Sequence, residues 1–262
     1  MLPAQAGVCL VCRGWSGTAP RCSSCEKIRR FVGRDFPVIL PLALAVNGKP
    51  LALALSRYKK LAIPKSVRFA ARSDLLGLID LMADRHESCL RQATGVAHFD
   101  RITFVPGTRD RNGFDPTFDL LQASAWSRSR CERTLKFVPG HDAPNKFDPE
   151  RFVLHADVER QSVILVDDTL TTGSNVLSAA YALLDGGAST VAVAVLGRHF
   201  RPDFQRCQLY LNEAEVIPFD AAKCALCDPH VSPVSLSAHT LVPAQRPSAV
   251  EEVSDPWVKP PF

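Results

Sequence analysis

No stretch of this 262-residue chain supplies the ~20 consecutive apolar residues that a membrane-spanning helix needs. Its longest apolar run, FPVILPLALAV at 36–46, is far shorter and is interrupted by Pro37 and Pro41. A basic region followed by an apolar core is also missing at the N-terminus, where Cys9 and Cys12 arrive at once, so no secretory signal is expected and a cytoplasmic location is. The body of the chain lacks any charge imbalance. Residues 1–35 hold six basic side chains (Arg13, Arg21, Lys27, Arg29, Arg30, Arg34) against Glu26 and Asp35, a surplus of four that equals that of the whole chain, 31 against 27. A small basic head on a neutral body points to an anionic partner such as single-stranded DNA, or to a solvated surface that binds nothing.

What is present begins with nine cysteines. Four make CLVC at 9–12 and CSSC at 22–25, two CxxC turns nine residues apart. Each turn brings two thiolates to one ion, and the pair completes the tetrahedral set that zinc prefers. With Cys9, Cys12, Cys22 and Cys25 filling every position, no site remains for a reacting water, so the metal is expected to build residues 1–35 into a module and not to perform chemistry. A redox or disulfide role is the weaker alternative, since no thioredoxin-like pattern surrounds either pair. A third pair, Cys224 and Cys227, has His230 three residues on; these are candidates for a second zinc, with Cys207 or His199 as fourth ligand, or are unligated thiols. Cys89 and Cys131 have no ligand-spaced partner, and Cys89 falls in a helical pattern as a small buried apolar residue.

Along the body, VILPLALAV and PLALALSRY flank Asn47 and Gly48, which predicts a hairpin over 36–60. Ser73 as cap and Leu75, Leu78, Ile79, Met82 and Leu90 predict a helix to about residue 92. RITFVPG at 101–107 reads as a buried strand ending in a turn, with a helix over about 115–126. Residues 128–150 mix basic side chains, prolines and Gly140; only TLKFV resembles a strand, and the rest reads as a mobile lid or binding loop. QSVILV, NVLSAAYALLD stopped by Gly186 and Gly187, and STVAVAVLG then give strand, helix, strand. Such alternation argues an α/β fold, a mostly parallel sheet with helices on both faces. Residues 201–227 form a C-terminal extension carrying the last CxxC pair. From 228 to 262 seven prolines occur without sustained periodicity, and a disordered tail is expected.

VILVDDTLTTGSN, residues 163–175, concentrates the chemistry. In an open parallel sheet ligands sit beyond the carboxyl ends of the strands, where the loop after VILV lies. Thr171, Thr172, Gly173, Ser174 and Asn175 occupy the turn into a helix; small side chains leave amides pointing outward, and the helix start adds positive potential, a cradle for phosphate. Asp167 and Asp168 would repel a phosphate in direct contact, so their partners are hydroxyls, those of a ribose 5-phosphate above all, or a metal. A loop using Asp as a cap and Thr for turns is the bland alternative.

This segment resembles the phosphoribosyl pyrophosphate binding motif of type I phosphoribosyltransferases. It departs at Thr169, where an aliphatic residue is usual, and at Asn175, where a hydroxyl or small residue is usual. Together with the cysteine knuckles, RYKK at 57–60 and FVPGTRDRNGF at 104–114, it is similar to the ComF-like branch, linked in some bacteria to uptake of DNA. The resemblance covers about residues 9–200. It implies a phosphoribosyltransferase-like domain over 36–200 behind the zinc module. It further implies that Asp167 and Asp168 hold the ribose, that residues 171–175 bind its 5-phosphate, and that Pro106, Gly107, Thr108 and Arg109, with Arg111, meet the pyrophosphate. Lys59 and Lys60 are further candidates, and Arg130, Arg133 and Lys136 could charge a closed loop. The implied activity is magnesium-dependent transfer of ribose 5-phosphate to a base or amine that would sit near Leu196–Phe200. Two rivals stand beside it: a sensor that binds the sugar donor without turnover, and a DNA-handling accessory protein using its basic head. A homo-oligomer is compatible with any of them.

Overall fold

The protein is described by a computed structural model covering residues 7–107, 114–143, 145–215 and 219–227. Four parallel strands form its centre in the order β3 (Val38–Val46), β8 (Thr190–Phe200), β7 (Ser162–Leu170), β4 (Arg101–Phe104). VILV is buried on both faces as its continuous apolar character requires: Ile164 and Val166 join one core cluster, Val163 and Leu165 the other. At roughly 1.5–3 kcal/mol for each large aliphatic side chain removed from water, these two cores dominate the stabilisation.

The first core is closed by α2 (Pro50–Arg57), α3 (Lys65–Arg85), α4 (Glu87–Thr94) and α5 (Pro116–Ala123). The second is closed by α6 (Ser174–Asp185) and by α1 (Ser23–Val32), whose Cys25 and Ile28 are buried beside α6 side chains. A two-stranded ladder, β1 (Gly7–Val8) with β2 (Trp15–Gly17), frames the cysteine knuckles, and α7 (Gln205–Glu215) follows the sheet. The N-terminal module thus shares its core with the body.

Three expected elements differ. No hairpin forms at 36–60: β3 turns at Gly48 (φ 81) into α2, because Pro50 enters a helix at its first turn and Leu and Ala favour it strongly. Ser73 lies inside α3, which begins at Lys65 after Pro64, and the helix is broken at His86 (φ −119, ψ −7) before α4 resumes. Within 128–150, TLKFV contributes β5 (Leu135–Phe137), paired antiparallel with β6 (Phe152–Leu154). The chain between them returns to α6, where the Asp148 amide donates to Ser178 Oγ at 2.9 Å and the Phe147 ring meets Tyr181 edge-on at 5.7 Å. The tail at 228–262 lies outside the described residues.

Candidate functional site

Because the sheet is parallel, the ends of β4 and β7 open on the same side, and β7 runs on through both aspartates to Leu170. Thr171 and Thr172 lead to Gly173, whose φ of 85 is a left-handed conformation that glycine takes without a Cβ penalty. An added Cβ would meet only Leu177 and Leu170 at ordinary contact distance, so the backbone angle selects glycine here. No side chain caps α6 at this residue. The first amides of α6 have no acceptor within the helix and carry its positive end. Ser174 Oγ is fixed by donation to Asn145 O at 2.9 Å, and Thr172 Oγ1 lies 3.1 Å from it. Residues 169–176, with Asp167 and Asn145, line one hollow. The turn expected to cradle phosphate therefore borders this hollow, with the Ser174 amide donating to Thr172 Oγ1 at 3.4 Å.

The two carboxylates face different neighbours. Asp167 lines the hollow and accepts the Asp168 amide at 2.8 Å. Burial, then the charge of Asp168, pushes its pKa up to about 7. Asp168 is 7% exposed, accepts from Lys59 Nζ at 2.7 Å and from Tyr58 Oη at 2.5 Å, and Tyr58 Oη is also 3.3 Å from Thr117 Oγ1. Burial works against its charge, but Lys59 and Tyr58 outweigh that and shift it downward. The pair is thus split into one acid near neutrality and one firmly ionised carboxylate. Lys59 belongs to this site, whereas Lys60 is exposed.

At the end of β4 the Gly107 amide donates to Asp115 Oδ2 at 3.1 Å, and the other oxygen of Asp115 caps α5 through Thr117 N and Phe118 N. Thr108, Arg109 and Arg111 lie outside the described residues. Among the basic residues expected to charge a closed loop, Arg130 is instead committed to Glu87, with a fork of 2.9 and 3.0 Å. Arg133 stacks on Phe118 at 4.0 Å, and Lys136 points to solvent. A cation that does reach the phosphate turn is Arg151, 1% exposed, which donates to Asn175 Oδ1, to His141 O at 2.8 Å and to Ala143 O at 2.7 Å. It ties the β5–β6 connection to the start of α6, and the Asn175 oxygen is taken up by it. The segment 196–200 offers no exposed aromatic for a base: Phe200 is buried and stacks on Tyr210 at 4.4 Å.

The four N-terminal cysteines bring their sulfurs within 4.8 Å of one another. Cys9, Cys12 and Cys25 are buried, and Arg13 adopts φ 55 at the turn. Two buried cations adjoin the cluster. Arg198 donates to Cys12 O at 2.9 Å and lies 3.8 Å from the Cys12 sulfur, while Arg13 is 4% exposed with Nε and Nη1 unpartnered. A zinc with four thiolates carries two net negative charges, which this pair of arginines suits, so the site fits the metal as well as the ligand spacing does. Arg198 also donates to Leu170 O at 2.9 Å and Thr171 O at 2.6 Å, joining the knuckle to the phosphate turn. Gly14 makes room for it, since a Cβ there would meet its guanidinium at 2.3 Å.

The basic surplus of the module is only partly offset, because Arg21, Arg29 and Arg30 share the single Glu26 carboxylate. Glu26 engages Arg21 and Arg29 at 2.9 Å and Arg30 at 3.4 Å, and Arg34 pairs with Asp185 at 2.5 Å. The third cysteine pair meets neither Cys207, which packs beside the Phe200–Tyr210 stack, nor His199; Cys224 and Cys227 lie with His86 and Cys89. Cys89, half-buried against the first core, thus also belongs to a cluster of cysteine and histidine side chains. His230 lies outside the described residues.

Fold and site define an α/β protein with an acid- and amide-lined hollow beyond the carboxyl ends of a parallel sheet. The chain is similar to the DNA utilization protein YhgH of Shigella flexneri, 30% identical over 146 residues, which cover 50% of this chain and 64% of that protein. YhgH of Escherichia coli O157:H7 is 28% identical over 171 residues, covering 60% and 71%. YhgH of Salmonella typhimurium is 28% identical over 145 residues, covering 50% and 64%. The match thus spans somewhat less than two thirds of the first of these relatives. A hypoxanthine phosphoribosyltransferase from Staphylococcus aureus aligns over 50% of this chain and 74% of its own at 12% identity, with a TM-score of 0.31. No protein-family model matches the chain. Among the described residues, no helix is long and apolar enough to cross a membrane.

Proposed function

We propose that this chain binds phosphoribosyl pyrophosphate with magnesium and transfers ribose 5-phosphate to a base or amine. The observation that carries the reading is the joint lining of one hollow by Asp167 and by the Thr171–Asn175 turn at the start of α6. The amides of a helix start suit the 5-phosphate, and an adjacent carboxylate suits the sugar hydroxyls. Asp168, held ionised by Lys59, is the second ribose partner. Gly107, Thr108, Arg109 and Arg111 are assigned to the pyrophosphate. Magnesium supplies charge neutralisation to the departing pyrophosphate. In the transfer, the bond from the anomeric carbon to pyrophosphate breaks as the acceptor nucleophile bonds to that carbon, and positive charge develops on the sugar. The carboxylates of Asp167 and Asp168 are the groups assigned to favour that charge.

The test is release of pyrophosphate from the sugar donor and magnesium across a panel of nucleobases and amines. Release with one acceptor class, lost in Asp167→Asn, supports transfer. Binding without release for any acceptor supports the sensor instead.

The name of the relatives, DNA utilization protein, favours one second reading, a DNA-handling role. Arg21, Arg29 and Arg30 share the single Glu26 carboxylate and so keep net positive charge for phosphates, while Arg34 is paired with Asp185. Salt-dependent single-strand binding that weakens in Arg29→Glu with Arg30→Glu would support it.

A further inference from the structure

We propose that His86, Cys89, Cys224 and Cys227 form a second zinc site, distinct from the N-terminal knuckles, that staples the segment 219–227 to the junction of α3 and α4. The four ligand atoms lie within 4.8 Å of one another. Cys227 Sγ is 3.0 Å from both Cys89 Sγ and Cys224 Sγ and 3.6 Å from His86 Nδ1, which is itself 3.9 Å from Cys89 Sγ. A tetrahedral zinc with bonds of about 2.3 Å to sulfur sets sulfur–sulfur edges of about 3.8 Å, within small side-chain movements of this arrangement.

The second observation is the histidine's other nitrogen. His86 Nε2 lies 3.1 Å from Ala221 O. A carbonyl only accepts, so Nε2 carries the proton and Nδ1 presents its lone pair to the three sulfurs. An orienting hydrogen bond of this kind is what metal-binding histidines make. The backbone agrees: α3 is interrupted at His86, and α4 then presents Cys89 three residues later, so the break turns both ligands to one side. On the other strand of the staple, Cys224 and Cys227 form a CxxC turn in which Cys227 N donates to Cys224 O at 3.2 Å and Leu226 N reaches Cys224 Sγ at 3.3 Å. Cys224 and Ala225 are buried in the first core cluster with Leu42, Leu75 and Met82.

A disulfide is the rival chemistry. It would join Cys227 to one of two equidistant partners and leave the other thiol and the oriented imidazole unused, whereas a metal with three thiolates and one neutral imidazole uses all four groups. Three soft sulfurs and one nitrogen in a tetrahedral set select zinc.

The experiment is zinc content by mass spectrometry of the full chain, with X-ray absorption at the zinc edge. Two zinc ions per chain are expected, with seven sulfurs and one nitrogen in total over both sites, an average shell of about 3.5 sulfurs and 0.5 nitrogen per zinc. Cys224→Ser with Cys227→Ser should hold one zinc, and His86→Cys should keep two while the nitrogen signal disappears. One zinc per wild-type chain with an all-sulfur shell would overturn the site, whatever the variants do. So would a Cys89–Cys227 or Cys224–Cys227 disulfide recovered from protein purified without oxidant, or two zinc ions retained by the double serine variant.

Discussion

At the scale of single residues, Asp167 and Gly173 decide the site. Asp167 has its pKa raised to about 7, so the proton favours the folded state: its stabilising contribution is full below the ordinary carboxylate range near pH 4 and is lost as pH rises through about 7. Asp168 is shifted the other way. Accepting a sugar hydroxyl requires the charged form of Asp167, so affinity for phosphoribosyl pyrophosphate should rise about tenfold between pH 6 and pH 8, following its ionised fraction. Asp167→Asn should flatten that profile, and calorimetry across the pH range reads both. Gly173→Ala should cost ~1–2 kcal/mol, the penalty of a left-handed angle at a residue with a Cβ, measured by denaturant unfolding. The place of both residues is legible in the sequence, because a doubled acid and a small-residue turn follow an apolar strand and precede a helical run. The splitting of the two acids is not legible, since it depends on Tyr58 and Lys59, more than a hundred residues earlier.

At the scale of elements, the strands are readable wherever burial on both faces makes a continuous apolar run, as in β7 and β8. PLALALSR misleads because Leu and Ala alternate at the strand period, while Pro50 and helix propensity decide for α2. The HESC run at 86–89 carried a usable signal, a histidine and a cysteine three apart on a helix. Arg151 and Arg198 carried none, because their roles arise from backbone carbonyls that only the folded chain brings to them. Arg198 is the larger structural commitment. Arg198→Met should destabilise the fold by at least ~2 kcal/mol through the loss of charge-assisted bonds to buried carbonyls, and should weaken sugar-donor binding through the Thr171 end of the turn. Thermal unfolding and titration of the same variant separate the two effects.

For the molecule as a whole, the module at 7–35 is part of the second core and not an independent head. Zinc removal is therefore expected to unfold more than the knuckle. A strong chelator should lower the midpoint of the global transition, not add a separate early one, and scanning calorimetry distinguishes these outcomes. The module's sequence shows its cysteine pattern and its net charge but not that Arg21, Arg29 and Arg30 converge on one carboxylate, Glu26, while Arg34 reaches Asp185 on α6.

The most direct measurement of the central claim is calorimetric titration of the full chain at pH 8 with phosphoribosyl pyrophosphate and magnesium, for the wild type and for Asp167→Asn. One saturable site per chain, weakened at least tenfold by the substitution while the variant keeps its unfolding transition, is the predicted result. Absence of binding by the folded wild type, or equal affinity in the variant, would contradict the account.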